Sequence, residues 1–394
     1  GNAGLKEYIL YRNGQEILRN PTPSGVDTYM LAGHTYSFRV AAVDNSNNVS
    51  LLSTSLVVNA LPLDPRGGGV STYIGALLGP LAAEVDAELV AAVRPAAAAR
   101  LPEAVVPLVR AESAGVRRAL AGLHGFGPAD LVHGLDVDLP LRSAAPRVAT
   151  VHDLAVFDVP WAFPRRRAVG ERLLVASSLR RADAIVAVSA FTADRVRRHT
   201  GREAVVVHEA PAPGMVPATP DEVARVRATY RLPERFVLHV GSIEPRKDLA
   251  TLADACRRAG VPLVLGGASL WSSRPPEGAT AIGYVPAADL PALYGAATLV
   301  GYASPYEGFG LPPIEAMYFG RPTFLARRTC LPEIGQQAAS YFDAFDPASM
   351  RATIEASLSG FDEGQSRALV ARASHFRWER CVDEHIAAYL AWAR

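Results

Sequence analysis

Tyr302-Ala-Ser-Pro-Tyr-Glu-Gly-Phe-Gly-Leu-Pro-Pro-Ile-Glu-Ala-Met-Tyr-Phe-Gly-Arg-Pro322 is the stretch whose reading decides the fold. It begins where an apolar, strand-like run, Ala297-Thr-Leu-Val-Gly301, gives out. Gly308 and Gly310 bracket a tight loop that holds Phe309 and leads to Leu311. Pro312 and Pro313 suit the first turn of a helix, where a missing N–H costs nothing. Ile314, Ala316 and Met317 give that helix an apolar face, and Gly320 ends it ahead of Pro322. The pattern reads as strand, glycine loop and helix, with free backbone N–H groups at Gly310–Leu311 that suit a phosphate.

Two carboxylates, Glu307 in the loop and Glu315 one turn into the helix, flank this site. Phosphate and carboxylate repel, so the acids should face something neutral and rich in hydroxyls. A carboxylate accepts two hydrogen bonds well, and a vicinal diol offers two donors. A nucleotide sugar carries such diols on either side of a diphosphate. A capped turn and a solvated helix residue would account for a bare pair of Glu residues. In this setting the two, with seven residues between them, resemble the signature of the retaining family 4 glycosyltransferases of GT-B fold. The resemblance implies that Glu307 lies beside the transferred sugar, that Glu315 holds the ribose, and that Gly308 to Leu311 line the donor.

Upstream, Phe236-Val-Leu-His-Val240 reads as a buried strand, followed by Gly241-Ser-Ile-Glu-Pro-Arg-Lys-Asp-Leu249. Adjacent cations at a strand's C-terminal end suit a diphosphate: Arg246 can bind it bidentately and Lys247 acts as a point charge. Basic pairs in solvated loops are common, but this segment is similar to the family's Glu-Pro-Arg-Lys. Many members carry a further Arg after the glycine, where this chain has Ser242, which leaves open how Arg246 and Lys247 divide the phosphate contacts. The resemblance also implies that the base is received near Thr280-Ala-Ile-Gly-Tyr-Val-Pro286, at Tyr284.

Strands and helices alternate before this point as well. Leu56–Leu63 could close the β segment before it, but it reads as the first strand of an α/β domain because Asp64-Pro-Arg-Gly-Gly-Gly69 follows at once. Such a loop lets backbone approach a ligand closely, although a flexible linker has the same composition. The family resemblance implies that Gly68 and Gly69 approach the donor diphosphate and the acceptor. Glu88–Val93 and Ala104–Val109 read as buried strands, Ala114–Leu123 as a helix, and Asp130–Gly134 and Val148–Val151 as further strands. In such a doubly wound pattern ligands bind at the C-terminal ends of strands. His152 stands at one such end. A lone His is as often structural, but Thr150-Val-His-Asp-Leu-Ala-Val-Phe157 resembles the family segment whose His lies against the donor sugar. His152 is therefore expected to hydrogen-bond a sugar hydroxyl, with Asp153 as its orienting partner. Asp136-Val-Asp138 has the form of a GT-A metal motif, but its surroundings are of GT-B type, and no metal is expected.

Residues 1 to about 58 read differently. Tyr8–Leu18 is two strands around Asn13-Gly14, a strong hairpin turn, and Leu31–Val43 alternates Tyr36, Phe38, Val40 and Ala42 on one face. This part resembles the second half of a fibronectin type III domain, with Tyr36 at the tyrosine corner and the half that carries the core Trp missing.

The expected fold class is α/β: two Rossmann-like domains facing a cleft, preceded by a short all-β segment. The expected bounds are 1–55 for the β segment, 56–215 for an acceptor domain, 221–375 for a nucleotide-sugar domain, and 376–394 for an amphipathic helix crossing back to the first domain. Composition agrees. With a net charge of +1 and 20% charged residues, nothing points to nucleic acid. Cys256, Cys330 and Cys381 are too few and too far apart for a disulfide framework or a zinc site. No signal peptide or membrane span is visible, so a cytoplasmic protein is expected. Arg165-Arg-Arg167 leads an amphipathic helix, Ala168–Arg181, that suits either solvent or the inner face of an anionic membrane. Abundant Ala, Arg, Gly and Pro fit a GC-rich bacterial genome.

The expected activity is retaining, metal-independent hexosyl transfer from a nucleotide-diphosphate sugar to a hydroxyl acceptor, with no cofactor. The wording of the two central motifs looks most like bacterial polysaccharide mannosyltransferases, which makes GDP-mannose the first donor and a UDP-sugar the second. Two alternatives remain open at this level. A glycoside hydrolase also needs two carboxylates, and a non-catalytic carbohydrate-binding protein would suit the fibronectin-like segment.

Overall fold

The computed structural model describes residues 5–12, 15–21, 38–45, 54–64, 67–111, 123–270 and 273–392. The N-terminal segment is a three-stranded antiparallel sheet of β1 (Leu5–Arg12), β2 (Gln15–Asn20) and β3 (Phe38–Asp44), in the order β2-β1-β3. Arg12 pairs with Gln15, which fixes a two-residue connection; Asn13-Gly14 itself lies outside the described residues, as does Tyr36. Ile9, Ala41 and Val43 are buried together. The side chains of Phe38, Val40 and Ala42, expected on the apolar face, also lie outside the described set.

Two parallel sheets follow. The first holds β4 (Ser55–Asn59), β5 (Glu88–Val93), β6 (Val106–Val109), β7 (Leu131–Gly134), β8 (Arg147–Val151), β9 (Ala184–Ala187) and β10 (Val205–Val206), in the order β10-β9-β8-β7-β4-β5-β6. The second holds β11 (Val237–Val240), β12 (Leu263–Gly266), β13 (Ala279–Gly283), β14 (Leu299–Tyr302), β15 (Thr323–Ala326) and β16 (Ser340–Phe342), in the order β13-β12-β11-β14-β15-β16. Counted within each sheet, both begin 3-2-1-4-5-6, the doubly wound Rossmann order. Central strands of parallel sheets are covered on both faces and read as continuous apolar runs. Val237, Leu238, Leu299 and Val300 are accordingly all buried.

This order decides where ligands can bind. In each sheet the chain reverses direction between the first and fourth strands, and the loops after them open a crevice. In the first sheet those are the loop from Ala60 into the Gly69–Glu84 helix and the loop from Leu135. In the second they are Gly241–Asp248 and Ala303–Gly310.

The last helix, Trp378–Trp392, packs on the Gly69–Glu84 helix of the first sheet's domain. Its buried face carries polar groups with partners: His385 Nε2 lies 3.0 Å from the Tyr73 hydroxyl, and the Tyr389 hydroxyl lies 2.6 Å from His133 Nδ1. Trp378 Nε1 donates to the Pro211 carbonyl at 2.8 Å, pinning the connection between the domains.

Two local readings change. β6 was expected to be buried, but it is the edge strand, and Val106 and Val109 are 43% and 52% exposed. Valines suit a strand whether or not it is covered, so composition alone does not separate edge from centre. The basic helix starts at Arg165, so the three arginines occupy its first turn instead of preceding it. The helix expected at Ala114–Leu123 falls almost wholly outside the described residues.

Candidate active site

Topology brings together the two motifs that the sequence singled out. β11 and β14 are neighbours, so the loops after them share one crevice. Lys247 Nζ donates to Glu307 Oε1 at 2.5 Å. Arg246 sits beside them, with Nη2 3.1 Å from Glu244 Oε1 and Nη1 4.0 Å from Glu307 Oε2. Ser242 donates its hydroxyl to the same Glu244 oxygen at 2.8 Å. Lys247, Glu307 and Glu244 are all buried. Burial alone would raise the Glu307 pKa, but the charges of Lys247 and Arg246 outweigh it and hold the carboxyl down at about 2. A buried carboxylate between two cations is a site poised for charge, not an inert turn.

Glu315 is one turn into the Leu311–Tyr318 helix, and it too is buried. Its partner is the Tyr294 hydroxyl, which donates to Oε2 at 2.8 Å. Among the described residues no cation stands against it, and burial pushes its pKa up to about 7. The two acids thus titrate in different pH ranges, which their sequence positions could not reveal. Gly310, the residue before this helix, has φ of +103°, a conformation open mainly to glycine. Phe309 is buried against Phe376 and His208. Tyr284, after β13, is half exposed.

The first domain closes onto this loop. A Cβ on Gly308 would sit 1.8 Å from the His152 carbonyl oxygen, so only glycine fits there. The Gly308 carbonyl accepts from Ser189 Oγ at 2.6 Å and from Thr192 Oγ1 at 3.1 Å. Glu333 of the second domain accepts from the backbone N–H groups of Ala190 and Phe191, at the N-terminus of the Ala190–Thr200 helix. Arg246 Nη1 reaches Asp153 of the first domain at 3.1 Å. Gly69 lies close to Leu311, since a Cβ on it would be 3.6 Å from Leu311 Cδ1, and Gly68 caps the Gly69–Glu84 helix.

His152 lies at the C-terminal end of β8, with Tyr73 edge-on at 4.8 Å. Its Nδ1 is 2.8 Å from Glu209 Oε1, and its Nε2 is 3.0 Å from the Leu135 carbonyl. Burial would lower the pKa of this ring, but the hydrogen bond and charge of Glu209 raise it to about 9. The partner on Nδ1 is therefore Glu209, not Asp153, which pairs with Arg246 and accepts from the Ala155 N–H.

Sequence reasoning did not single out Glu209, Tyr294 or Glu244 as site residues. Glu209 carried one usable signal, an acid two positions after the apolar run Val205-Val-Val207. Tyr294 carried none, since an aromatic on a short helix looks like core. Among the described residues no group of three or more His, Cys, Asp or Glu is placed to hold a metal. Asp138 is buried, and its backbone carbonyl accepts from Asn59 Nδ2; Asp136 accepts from the Val137 N–H.

Comparisons with known proteins bear on the family and the fold. Residues 67–210 match the model described as Glycosyltransferase Family 4, and residues 223–360 the one described as Glycosyl transferases group 1. The O-antigen chain mannosyltransferase B of Escherichia coli is 32% identical over 281 residues, covering 66% of this chain and 74% of that protein. A D-inositol 3-phosphate glycosyltransferase of Segniliparus rotundus is 33% identical over 287 residues, covering 64% of this chain and 62% of that protein. Among solved structures, sucrose-phosphate synthase from Thermosynechococcus elongatus superposes with a TM-score of 0.68 at 19% identity, covering 86% of this chain and 98% of that one. Anabaena HepE in complex with UDP-glucose gives 0.64 at 16% identity, covering 86% and 99%.

Proposed function

The chain belongs to the family 4, group 1 glycosyltransferases, and from that premise we propose that it transfers a hexose, mannose first, from a nucleotide-diphosphate sugar to a hydroxyl acceptor with retention of configuration. GDP-mannose is the preferred donor and a UDP-sugar the second. The relatives named as mannosyltransferases support the sugar. The observation that carries the reading is the Arg246–Lys247–Glu307 cluster at the crevice between β11 and β14, beside the N-terminus of the Leu311–Tyr318 helix.

In this reading the diphosphate lies against Arg246, Lys247 and the helix N-terminus, which offset the charge that grows as the C1–phosphate bond breaks. Glu307, once its lysine turns to phosphate, faces the sugar where positive charge develops. Glu315 and the Tyr294 hydroxyl beside it hold the ribose diol. The acceptor oxygen attacks C1 from the leaving-group face, and its proton passes to the departing phosphate oxygen. The leaving-group charge is met by protein cations, and we infer that no metal is required. Hydrolysis would need one carboxylate to serve as nucleophile or base and another as acid. Glu307 bound to Lys247 and Glu315 buried under Tyr294 favour transfer over that chemistry.

We also place the protein on the cytoplasmic side, in peripheral contact with an anionic membrane. Trp161, Val169 and Leu173 are exposed by 60%, 58% and 68% beside the exposed Arg165 and Arg166. No helix among the described residues is long and apolar enough to cross a membrane.

The test is a thermal-shift panel of GDP, UDP, ADP and dTDP, followed by transfer from the matching nucleotide sugar with and without EDTA. A shift with GDP and EDTA-resistant transfer from GDP-mannose is expected. A shift confined to UDP would overturn the donor, and activity restored only by added divalent metal would overturn the metal-free mechanism.

A further inference from the structure

His152 makes two hydrogen bonds, and their partners define its protonation. The Leu135 carbonyl can only accept, so Nε2 carries a hydrogen. Glu209 is 4% exposed, and its Oε1 lies 2.8 Å from Nδ1. Unless the buried acid keeps its own proton, Nδ1 carries a hydrogen too. A carboxylate within hydrogen-bond distance of an imidazole favours its protonated form. The groups facing this pair do not oppose it. Asp136, from the loop after β7, adds a second negative charge. His133 on β7 is kept neutral by burial, which is its largest influence. Tyr73, from the Gly69–Glu84 helix, and Cys381, from the Trp378–Trp392 helix, are both buried, and burial holds each of them in its neutral form. Asp153, next in the chain, is turned to Arg246.

We propose that Glu209 is the positioning residue that keeps His152 doubly protonated, so that His152 serves transfer as a fixed cation and never as a base. Gly308 seats against the backbone carbonyl of His152, so His152 belongs to the contact between the first domain and the loop that carries Glu307. An imidazolium has no free lone pair, so it cannot take the acceptor's proton. That leaves the departing phosphate as the proton's destination. This inference rests on the transfer reading above for its kinetic part only.

The experiment pairs nitrogen-15 NMR of the histidine side chains with kinetics. In the wild type both ring nitrogens of His152 should be protonated at pH 7.5. In Glu209→Gln the ring should turn neutral at that pH and titrate at or below the ordinary value of about 6.5, because burial then acts without the opposing carboxylate. Turnover of Glu209→Gln at saturating donor should fall on the order of 10- to 1000-fold at pH 8. It should recover toward pH 6, while donor KM stays within about threefold, because the lost interaction strengthens in the transition state. Glu209→Asp should restore part of the turnover and the protonated ring. A neutral His152 in the wild type would overturn the proposal. So would a Glu209→Gln protein with a neutral ring and wild-type turnover from pH 6 to 8, or one whose ring stays doubly protonated. If Glu209→Gln does not fold, the wild-type spectrum and Glu209→Asp decide. The spectra do not depend on donor identity: failure of GDP-mannose with the expected spectra would strike the donor alone, and kinetics would then use the donor the nucleotide panel selects.

Discussion

Arg246 of the second domain and Asp153 of the first form an ion pair across the cleft, with Nη1 and Oδ2 3.1 Å apart. The guanidinium proposed to receive a diphosphate is thus already held by a carboxylate of the opposite domain. A ligand must displace or share that contact. Asp153→Asn keeps the oxygen that accepts from the Ala155 N–H but removes the competing charge. Nucleoside diphosphate should then bind about 3–10-fold tighter by calorimetry, the scale of a partly exposed ion pair. Equal or weaker binding would show that Asp153 assists the ligand.

Arg246→Ala combined with Lys247→Ala removes both cations from the crevice. Binding of the nucleoside diphosphate should weaken far more than binding of the nucleoside, by roughly 100-fold or more, since charge-assisted contacts are the stronger ones. Parallel loss of both ligands would place the phosphates elsewhere.

Glu307 and Glu315 should separate in kinetics. Glu307→Gln should lower turnover at saturating donor on the order of 10–1000-fold with a smaller change in donor affinity, because its charge matters most as the sugar turns cationic. Glu315→Gln should act mainly on donor affinity, since a ribose contact is present in ground and transition states alike. The reverse pattern would exchange their roles.

Stability should report the Glu315 environment. Its folded pKa of about 7 lies above the ordinary carboxylate value of 4.5. Between those values the folded protein holds a proton that the unfolded chain has released, so stability falls as pH rises through this window. Above pH 7 the ionised, buried Glu315 costs up to about 3 kcal/mol. Glu315→Gln should therefore gain melting temperature relative to the wild type at pH 8 compared with pH 5. A difference independent of pH would mean that Glu315 is ionised throughout.

Trp161 and Leu173 are exposed, close in the chain to the arginines that open the Arg165–Arg181 helix. Trp161→Ala with Leu173→Ala should reduce co-sedimentation with phosphatidylglycerol vesicles at least severalfold, and high salt should reduce the wild type's binding too. Unchanged sedimentation would mean that this face is simply solvated.

How far the sequence alone reaches can be seen at particular residues. Periodicity and punctuation are local, so the strand before Tyr302, the glycine turn at Gly308–Gly310 and the helix opening on Pro312-Pro313 were all legible. The alternation of apolar strands with helices was legible for the same reason, and with it two Rossmann-like domains and the motifs that mark the family. What the sequence could not assign was charge state and partnership. Lys247 and Glu307 are 60 residues apart and meet because the strand order reverses between β11 and β14. Glu209 and His152 are 57 residues apart and meet at the ends of strands in the first sheet. Whether a carboxyl sits near pKa 2 or 7 depends on which cation the fold sets beside it and how much water it excludes. Glu307 and Glu315, eight positions apart in one motif, differ in this way because one faces Lys247 and the other faces Tyr294.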